Sequence, residues 1–292
     1  RSAAPLPSRA RPASRSMPVL LEPLAAVAAP PLSIDVTGIV PDRLCGLSVQ
    51  AIARLPIQAD GRPCELGHVF SVSGDPADGR LDCRGDFSRV HGVAAGMRWG
   101  HVDVEGNVGR HAAARMSGGM LTVSGSAGDW LAVELAGGDV RVRGSAGDNA
   151  AAALPGSDLG MRGGLVIVQG DVGGLAGGRM RRGILAVGGG CGTAPAFEMR
   201  AGTVLVAGRV GGQAGLGMRR GSFIALTAAT AVPPTFLRGG LWLPPFLPFL
   251  LRRLADAGYR PAANRGPWRQ WHGDTLAGGR GEILHPEEPA AA

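Results

Sequence analysis

The sequence contains no lysine: all thirty of its basic residues are arginine. Alongside abundant alanine, glycine and proline, this is read as the mark of GC-rich coding rather than a physical requirement. Aromatic residues make up only 4%, and Tyr259 is the only tyrosine. A core of large rings is therefore excluded, and small side chains must pack very regularly instead. The shortage of aromatics also argues against nucleic acid, which calls for a basic patch interleaved with stacking rings. The net charge of +7 is inflated by residues 1–16, which hold four arginines and no acid.

Long apolar runs are missing too. Leu241 to Leu251 is the most apolar stretch, eleven residues with three prolines, against roughly twenty apolar residues for a spanning helix. It is expected to be a proline-shaped arm packed on protein. Residues 1–16 lack a secretory apolar core and precede Met17; they are expected to be an over-extended translation start or a tail outside the fold, with a transit-like segment as the alternative. Cys45, Cys64, Cys83 and Cys191 form no C-x-x-C pair. They are expected to be free thiols buried as small hydrophobes in a reducing cytoplasm.

What the sequence does contain is glycine, 49 residues of it, at a fixed period. Met-x-x-Gly begins at Met97, Met116, Met161, Met180, Met199 and Met218, with Leu135 in the same role; successive intervals are 19, 19, 26, 19, 19 and 19 residues. The one long interval holds a seven-residue insertion within AAALPGSDLG. Six residues after each of the first six of these glycines stands a second: Gly106, Gly125, Gly144, Gly170, Gly189 and Gly208. Between the two glycines the second and fourth residues are always apolar, from Val102/Val104 to Phe223/Ala225. That alternation is the period of a strand with one buried face, and glycine supplies the positive φ of the corners.

Such a unit cannot bury its inner face alone, whereas stacked copies can. The fold expected is all-β, a right-handed parallel β-helix of about 19-residue coils, its hand taken from parallel crossovers generally. Eight or nine coils, counting degenerate ones near and before Gly85, would give a rod of roughly 40 Å. The expected division is an N-terminal arm with irregular coils over 17–78, the repeat body over 79–228 and a C-terminal arm over 229–292. The methionine column is expected to fill the core.

Outward positions change along the rod. The first and third strand residues read His101/Asp103, Met120/Thr122 and Asp139/Arg141 early, then Leu165/Ile167, Ile184/Ala186, Thr203/Leu205 and Ser222/Ile224. The late coils thus present an apolar outer face, to be covered by the C-terminal arm or by a partner. Arginines recur at one phase: Arg98, Arg162, Arg181, Arg200 and Arg219, with Arg182 and Arg220 beside them. Solvated surface charge is the plain reading. The sharper one is a docking strip, made by Arg162, Arg181, Arg182, Arg200, Arg219 and Arg220, for an acidic partner or an anionic cofactor tail.

No catalytic constellation emerges. His68, His91, His101, His111, His272 and His285 form no metal-ligand spacing. Asp129 and Asp148 are expected to cap local backbone N–H groups at corners. The many G-x-G strings lack the strand–turn–helix setting of a phosphate loop. No catalytic residue and no metal site is assigned.

The string MRGGLVIVQGDVG from Met161, with MSGGMLTVSGSAGD and MRAGTVLVAGRVGG, resembles the repeat of the C subunit of formylmethanofuran dehydrogenase and of the bacterial formyltransferase/hydrolase complex. The C-terminal domain of the glutamate synthase large subunit has a similar repeat. IDVTGIVPDRLCGLS (34–48) and HGDTLAGGRGEIL (272–284) resemble the opening and closing segments of this C-subunit family, and a chain of this size fits a subunit better than an excised synthase domain. The resemblance runs from about residue 19 to 285. It implies a non-catalytic scaffold in a cytoplasmic one-carbon complex that moves a formyl group from formyl-tetrahydromethanopterin to a methanofuran-type carrier and releases formate. It also implies amidohydrolase-like and formyltransferase-like sister subunits, with any metal on a sister. Departures are local: Trp99 stands in a glycine position, and GGGCGTAPAFE (188–198) breaks the Gly-Asp corner. A β-helix protein acting on polysaccharide is the alternative, but paired carboxylates and aromatics on one face are missing.

Overall fold

The computed structural model describes residues 17–24, 31–227, 231–262 and 266–287; the expected tail 1–16 lies outside them. Each repeat contributes one short strand to a thirteen-stranded sheet. Its rungs run in parallel from Val19–Pro23 and Arg80–Arg84, through His101–Glu105 and Asp139–Val142, to Arg220–Ala225 and Arg280–Pro286. Register follows the period: Val140 pairs with Leu121 one repeat back and with Val166 across the insertion. The seven extra residues therefore loop out without disturbing the ladder. Both arms supply rungs. Val19–Pro23 pairs beside Arg80–Arg84 with some sixty residues between them, so the rung before the first repeat comes from the N-terminal arm rather than from another coil.

A second parallel ladder joins single residues: Phe87, Val108, Ala127, Ala146, Val172, Cys191 and Val210. A third connects the segment before each methionine. There Ala113, Ala132, Ala151 and Ala196 adopt φ of 53–59°, and glycines take the same place at Gly177 and Gly215. Their N–H groups donate to the rung behind, as from Ala132 to Ala112 O at 2.7 Å and from Ala196 to Ala176 O at 2.7 Å. Left-handed backbone costs an alanine about 1–2 kcal/mol, and these inter-rung bonds are what hold it. Only a very small side chain fits, since a Cβ on Gly177 would already press on Val204 Cγ2 at 2.7 Å.

Inside the stack the alternate strand residues and the methionine column form one core. Met97, Met116, Leu135, Met161, Met180, Met199 and Met218 are fully buried. A second apolar cluster sits outside the sheet, where Leu165, Ile167, Ala186, Leu205 and Ile224 meet Leu247, Leu250, Leu254, Tyr259 and Trp268. The apolar outer face of the late coils is thus covered by the chain's own C-terminal arm. The helix Leu247–Asp256 has Pro248 in its first turn, where a missing N–H costs nothing, and turns Leu247, Leu250 and Leu254 onto the sheet. The stretch Leu241 to Leu251 is accordingly strand end, turn and helix start; Leu243 and Phe249 in it stay exposed.

Two expectations are corrected. Cys83 and Cys191 are buried, but Cys45 is exposed and Cys64 half-buried. Cys45 ends a four-residue helix, Pro41–Leu44, outside the stack, and Cys64 lies in the separate four-stranded sheet. Their spacing of nineteen places them in no common column. Asp129 and Asp148 do not cap local N–H groups: Asp129 accepts from the N–H of Asp148 at 2.9 Å and Asp148 from that of Gly174 at 2.7 Å. Each carboxylate therefore ties its own rung to the next. No helix among the described residues is long and apolar enough to cross a membrane.

Candidate functional site: an arginine-lined corner

The corner after each methionine turns two residues outward before glycine bends the chain back. Backbone bonds stack these corners: Arg162 N–H donates to Leu135 O at 2.6 Å, and Arg181, Arg200 and Arg219 donate to Met161, Met180 and Met199, each at 2.8 Å. The glycine that follows is required. Gly183, Gly202 and Gly221 have φ between 97° and 105°, and a Cβ on Gly221 would meet Gly202 O at 2.6 Å. Successive arginines are thereby held at the rung spacing of about 4.8 Å.

Arg181, Arg182, Arg200, Arg219 and Arg220 line one open concavity of about 610 Å³, floored by Gly183, Ala201 and Gly202. A neighbouring concavity of about 540 Å³ shares Arg200 and Arg219 and adds Asp158, Glu198, Gly217, Leu276 and Ala277. Among the described residues, Arg181, Arg182, Arg219 and Arg220 have no ion pair; Arg200 has Asp158 of the insertion loop at 3.5 Å. Two like charges about 5 Å apart repel by about 0.8 kcal/mol in water. Four exposed guanidiniums without counter-charge therefore make a locus of standing positive potential, suited to a carboxylate or phosphate chain.

The predicted stripe is not uniform. Arg162 is exposed one rung away and lines neither concavity. Arg98 belongs elsewhere, because its Nε donates at 3.1 Å to Asp42, whose side chain is buried in the N-terminal arm. One member escaped the sequence reading. Arg280, in the closing strand, pairs directly with Arg220 across the last rung and is exposed. The signal was present: Arg280-Gly-Glu-Ile-Leu repeats the order of Arg220-Gly-Ser-Phe-Ile.

Other polar residues serve the stack. Asn107, Ser126, Ser145 and Asp171 form a side-chain column in which each accepts from a backbone N–H of the following rung at 2.6–3.1 Å. His91 Nδ1 accepts from Arg110 N–H at 3.0 Å, and burial, with Arg110 nearby, holds this histidine below its ordinary pKa. Burial pushes the Cys191 thiol up to about 12, so it is inert at neutral pH. No group of three or more His, Cys, Asp or Glu that could hold a metal occurs among the described residues.

No family model matches the sequence. The C subunit of the tungsten-containing formylmethanofuran dehydrogenase 2 of Methanothermobacter thermautotrophicus is 30% identical over 89 residues, 29% of this chain and 33% of that protein. The C subunit of the formyltransferase/hydrolase complex Fhc of Methylorubrum extorquens is 36% identical over 80 residues, 27% of this chain and 30% of that protein. The chain thus matches about a third of the length of these curated relatives. In structure the likeness is far longer. One chain of the X-ray structure of the formyltransferase/hydrolase complex FhcABCD from M. extorquens, in complex with methylofuran, superposes with a TM-score of 0.82 at 32% identity, over 92% of this chain and 100% of that one.

Proposed function

Because the chain belongs to the family of the C subunits of formylmethanofuran dehydrogenase and of the formyltransferase/hydrolase complex, we propose that it is a non-catalytic scaffold subunit of a formyltransferase/hydrolase complex. That complex would transfer a formyl group from formyl-tetrahydromethanopterin to a methanofuran-type carrier and release formate in the cytoplasm. Catalysis, with any metal, falls to amidohydrolase-like and formyltransferase-like sister subunits. The repeat body 79–228 is read as a right-handed parallel β-helix, given the three parallel ladders and the general hand of parallel crossovers. Arms are read over 17–78 and 229–292, whose strands Val19–Pro23 and Arg280–Pro286 pair with the first and last strands of the body.

The single observation that carries the chain's own part in this is the concavity of Arg181, Arg182, Arg200, Arg219 and Arg220, with Arg280 beyond it. An anionic tail on a methanofuran-type carrier fits that lining, since among the described residues four of the five guanidiniums have no ion pair and no carboxylate lines the cavity. These residues would hold and guide the tail by charge-assisted hydrogen bonds, while formyl chemistry is supplied by the carrier's other end. Stacked rungs suit this role, because the β-ladder fixes the spacing of the arginine backbones and leaves only the side chains to be ordered on binding.

The test is co-purification of the tagged native chain from its own cells. Recovery with amidohydrolase-like and formyltransferase-like subunits is expected, and recovery of the chain alone would refute the scaffold. Charge reversal at Arg181 and Arg200 is expected to weaken carrier affinity with assembly intact; unchanged affinity and assembly would remove the arginines from the function.

A further inference from the structure

A further polar pocket lies on the outer face of the sheet. Its place is set by the switch in outward residues, polar through Asp139 and Arg141 and apolar from Leu165 and Ile167 onward. The helix of the C-terminal arm covers the apolar rungs, and the turn Ala257-Gly258-Tyr259 after it walls the pocket. Between that turn and the sheet is a pocket of about 190 Å³ lined by Thr122, Arg141, Arg143, Gln169 and Tyr259, with Ile167 among its apolar walls.

The lining is one-sided in charge. Two guanidiniums, an amide and two hydroxyls can all donate, and among the described residues no carboxylate lines the pocket. Arg141 is poorly served by its own chain. Its Nη2 reaches Asp139 Oδ2 at only 3.4 Å, and its buried Nε has no acceptor among the described residues. A buried donor on a charged group without an acceptor is costly, and an incoming oxygen would relieve it. Arg143 stands two residues further along the same outward row, is exposed and has no ion pair among the described residues. Tyr259 is nearly buried here, and burial raises its pKa, so its hydroxyl stays protonated as a donor.

We propose that this pocket binds a small oxyanion, of carboxylate to phosphate size, held by Arg141 and Arg143 with Gln169 and Tyr259 completing the shell. Size favours a free anion over an acidic peptide: at about 190 Å³ the pocket is under a third of the 610 Å³ of the arginine concavity. The site is independent of the arginine corner and shares no residue with it. Because one wall is the sheet and the other the arm, bound anion would also bridge the two.

The experiment titrates sodium sulfate, then sodium acetate, into the full chain at constant ionic strength, read by calorimetry and by the ring signal of 13C-labelled Tyr259, the only tyrosine. A saturable site that shifts the Tyr259 signal is expected, and any anion taken up at the arginine corner leaves that signal unmoved. Arg141→Gln should weaken it about tenfold or more, while Arg181→Gln/Arg200→Gln leaves it unchanged. Should Arg141→Gln fail to fold, Gln169→Leu tests the same shell with both arginines in place and is expected to weaken binding severalfold. Absence of saturation, loss of binding with the corner variants instead, an unmoved Tyr259 signal, or capture of an acidic peptide but of neither anion would each overturn the proposal.

Discussion

Arg179 and Glu198 stand one rung apart on the outer edge of the third ladder, with Arg179 Nε donating to Glu198 Oε2 at 2.8 Å. Both residues have left-handed backbone, φ 55° and 50°, and Arg115 and Glu134 repeat the arrangement at the same distance nearer the N-terminal end of the stack. Arg179 also donates through Nη1 to Ser157 O at 2.9 Å, which fastens the insertion loop. The ion pair itself is part-exposed, so screening limits it to about 0.2–1 kcal/mol. Arg179→Ala is expected to cost more than Glu198→Ala, because only the former releases the loop. Chemical denaturation of the two single variants and the double variant measures the difference; equal costs would mean that the Ser157 contact contributes nothing.

Glu134 predicts a pH effect. Burial alone would raise its pKa, but hydrogen bonds from Arg115 and Ser157 more than offset this and hold it below the ordinary 4.5. The carboxylate is thus preferred more strongly in the folded state than in the unfolded chain. Its contribution is complete above the ordinary glutamate range and is lost as pH falls through the depressed folded value. Glu134→Gln should therefore be less stable than the parent at neutral pH, and the gap should close as pH falls below the ordinary 4.5 and through the depressed folded value. A gap that stayed constant with pH would assign the loss to packing.

How legible these features were differs by their physical origin. The strand rungs and the methionine column could be read directly, since alternation at Val140/Val142 or burial of Met180 leaves a mark in residue type. The left-handed turns at Ala113, Ala132 and Ala196 could not. Alanine carries no signal for the sign of φ, and what selects that backbone is the pairing of each N–H with another rung. The rung from Val19–Pro23 was hidden for a related reason: its partner lies some sixty residues away, outside the period. Which arginines of the stripe are free was equally unreadable, because the partner of Arg98 is Asp42 of the N-terminal arm. The period alone gave the stacking of Arg181, Arg200 and Arg219, but not the separation of Arg162 from them or the addition of Arg280.

The C-terminal arm should be structural as well as covering. Leu254 is fully buried between helix and sheet, whereas Phe249 on the same helix is 76% exposed. Leu254→Ala removes buried methyl groups and is expected to cost about 2–5 kcal/mol. Phe249→Ala should fall within about 0.5 kcal/mol of the parent. Thermal melts of the two variants decide this; similar melting points would mean that the arm is not packed on Leu205 and Ile224 as described.

The arginine corner makes a discriminating prediction because its members differ in their partners rather than in their residue type. Arg219 lines the concavity without a counter-charge, Arg280 extends the cluster from the neighbouring strand, and Arg98 is already bonded to Asp42. Affinity for a polyanion should follow that division. With poly-glutamate as the probe, Arg219→Gln and Arg280→Gln should each weaken binding to the full chain by roughly threefold to tenfold, within the range of a charge-assisted hydrogen bond partly screened by solvent. Arg98→Gln should leave binding unchanged, although it removes the same formal charge. Equal losses for all three variants would mean that the probe senses only net charge, and the corner would then be no site at all. A loss confined to Arg219 would shorten the site by one rung and place its end at the last repeat.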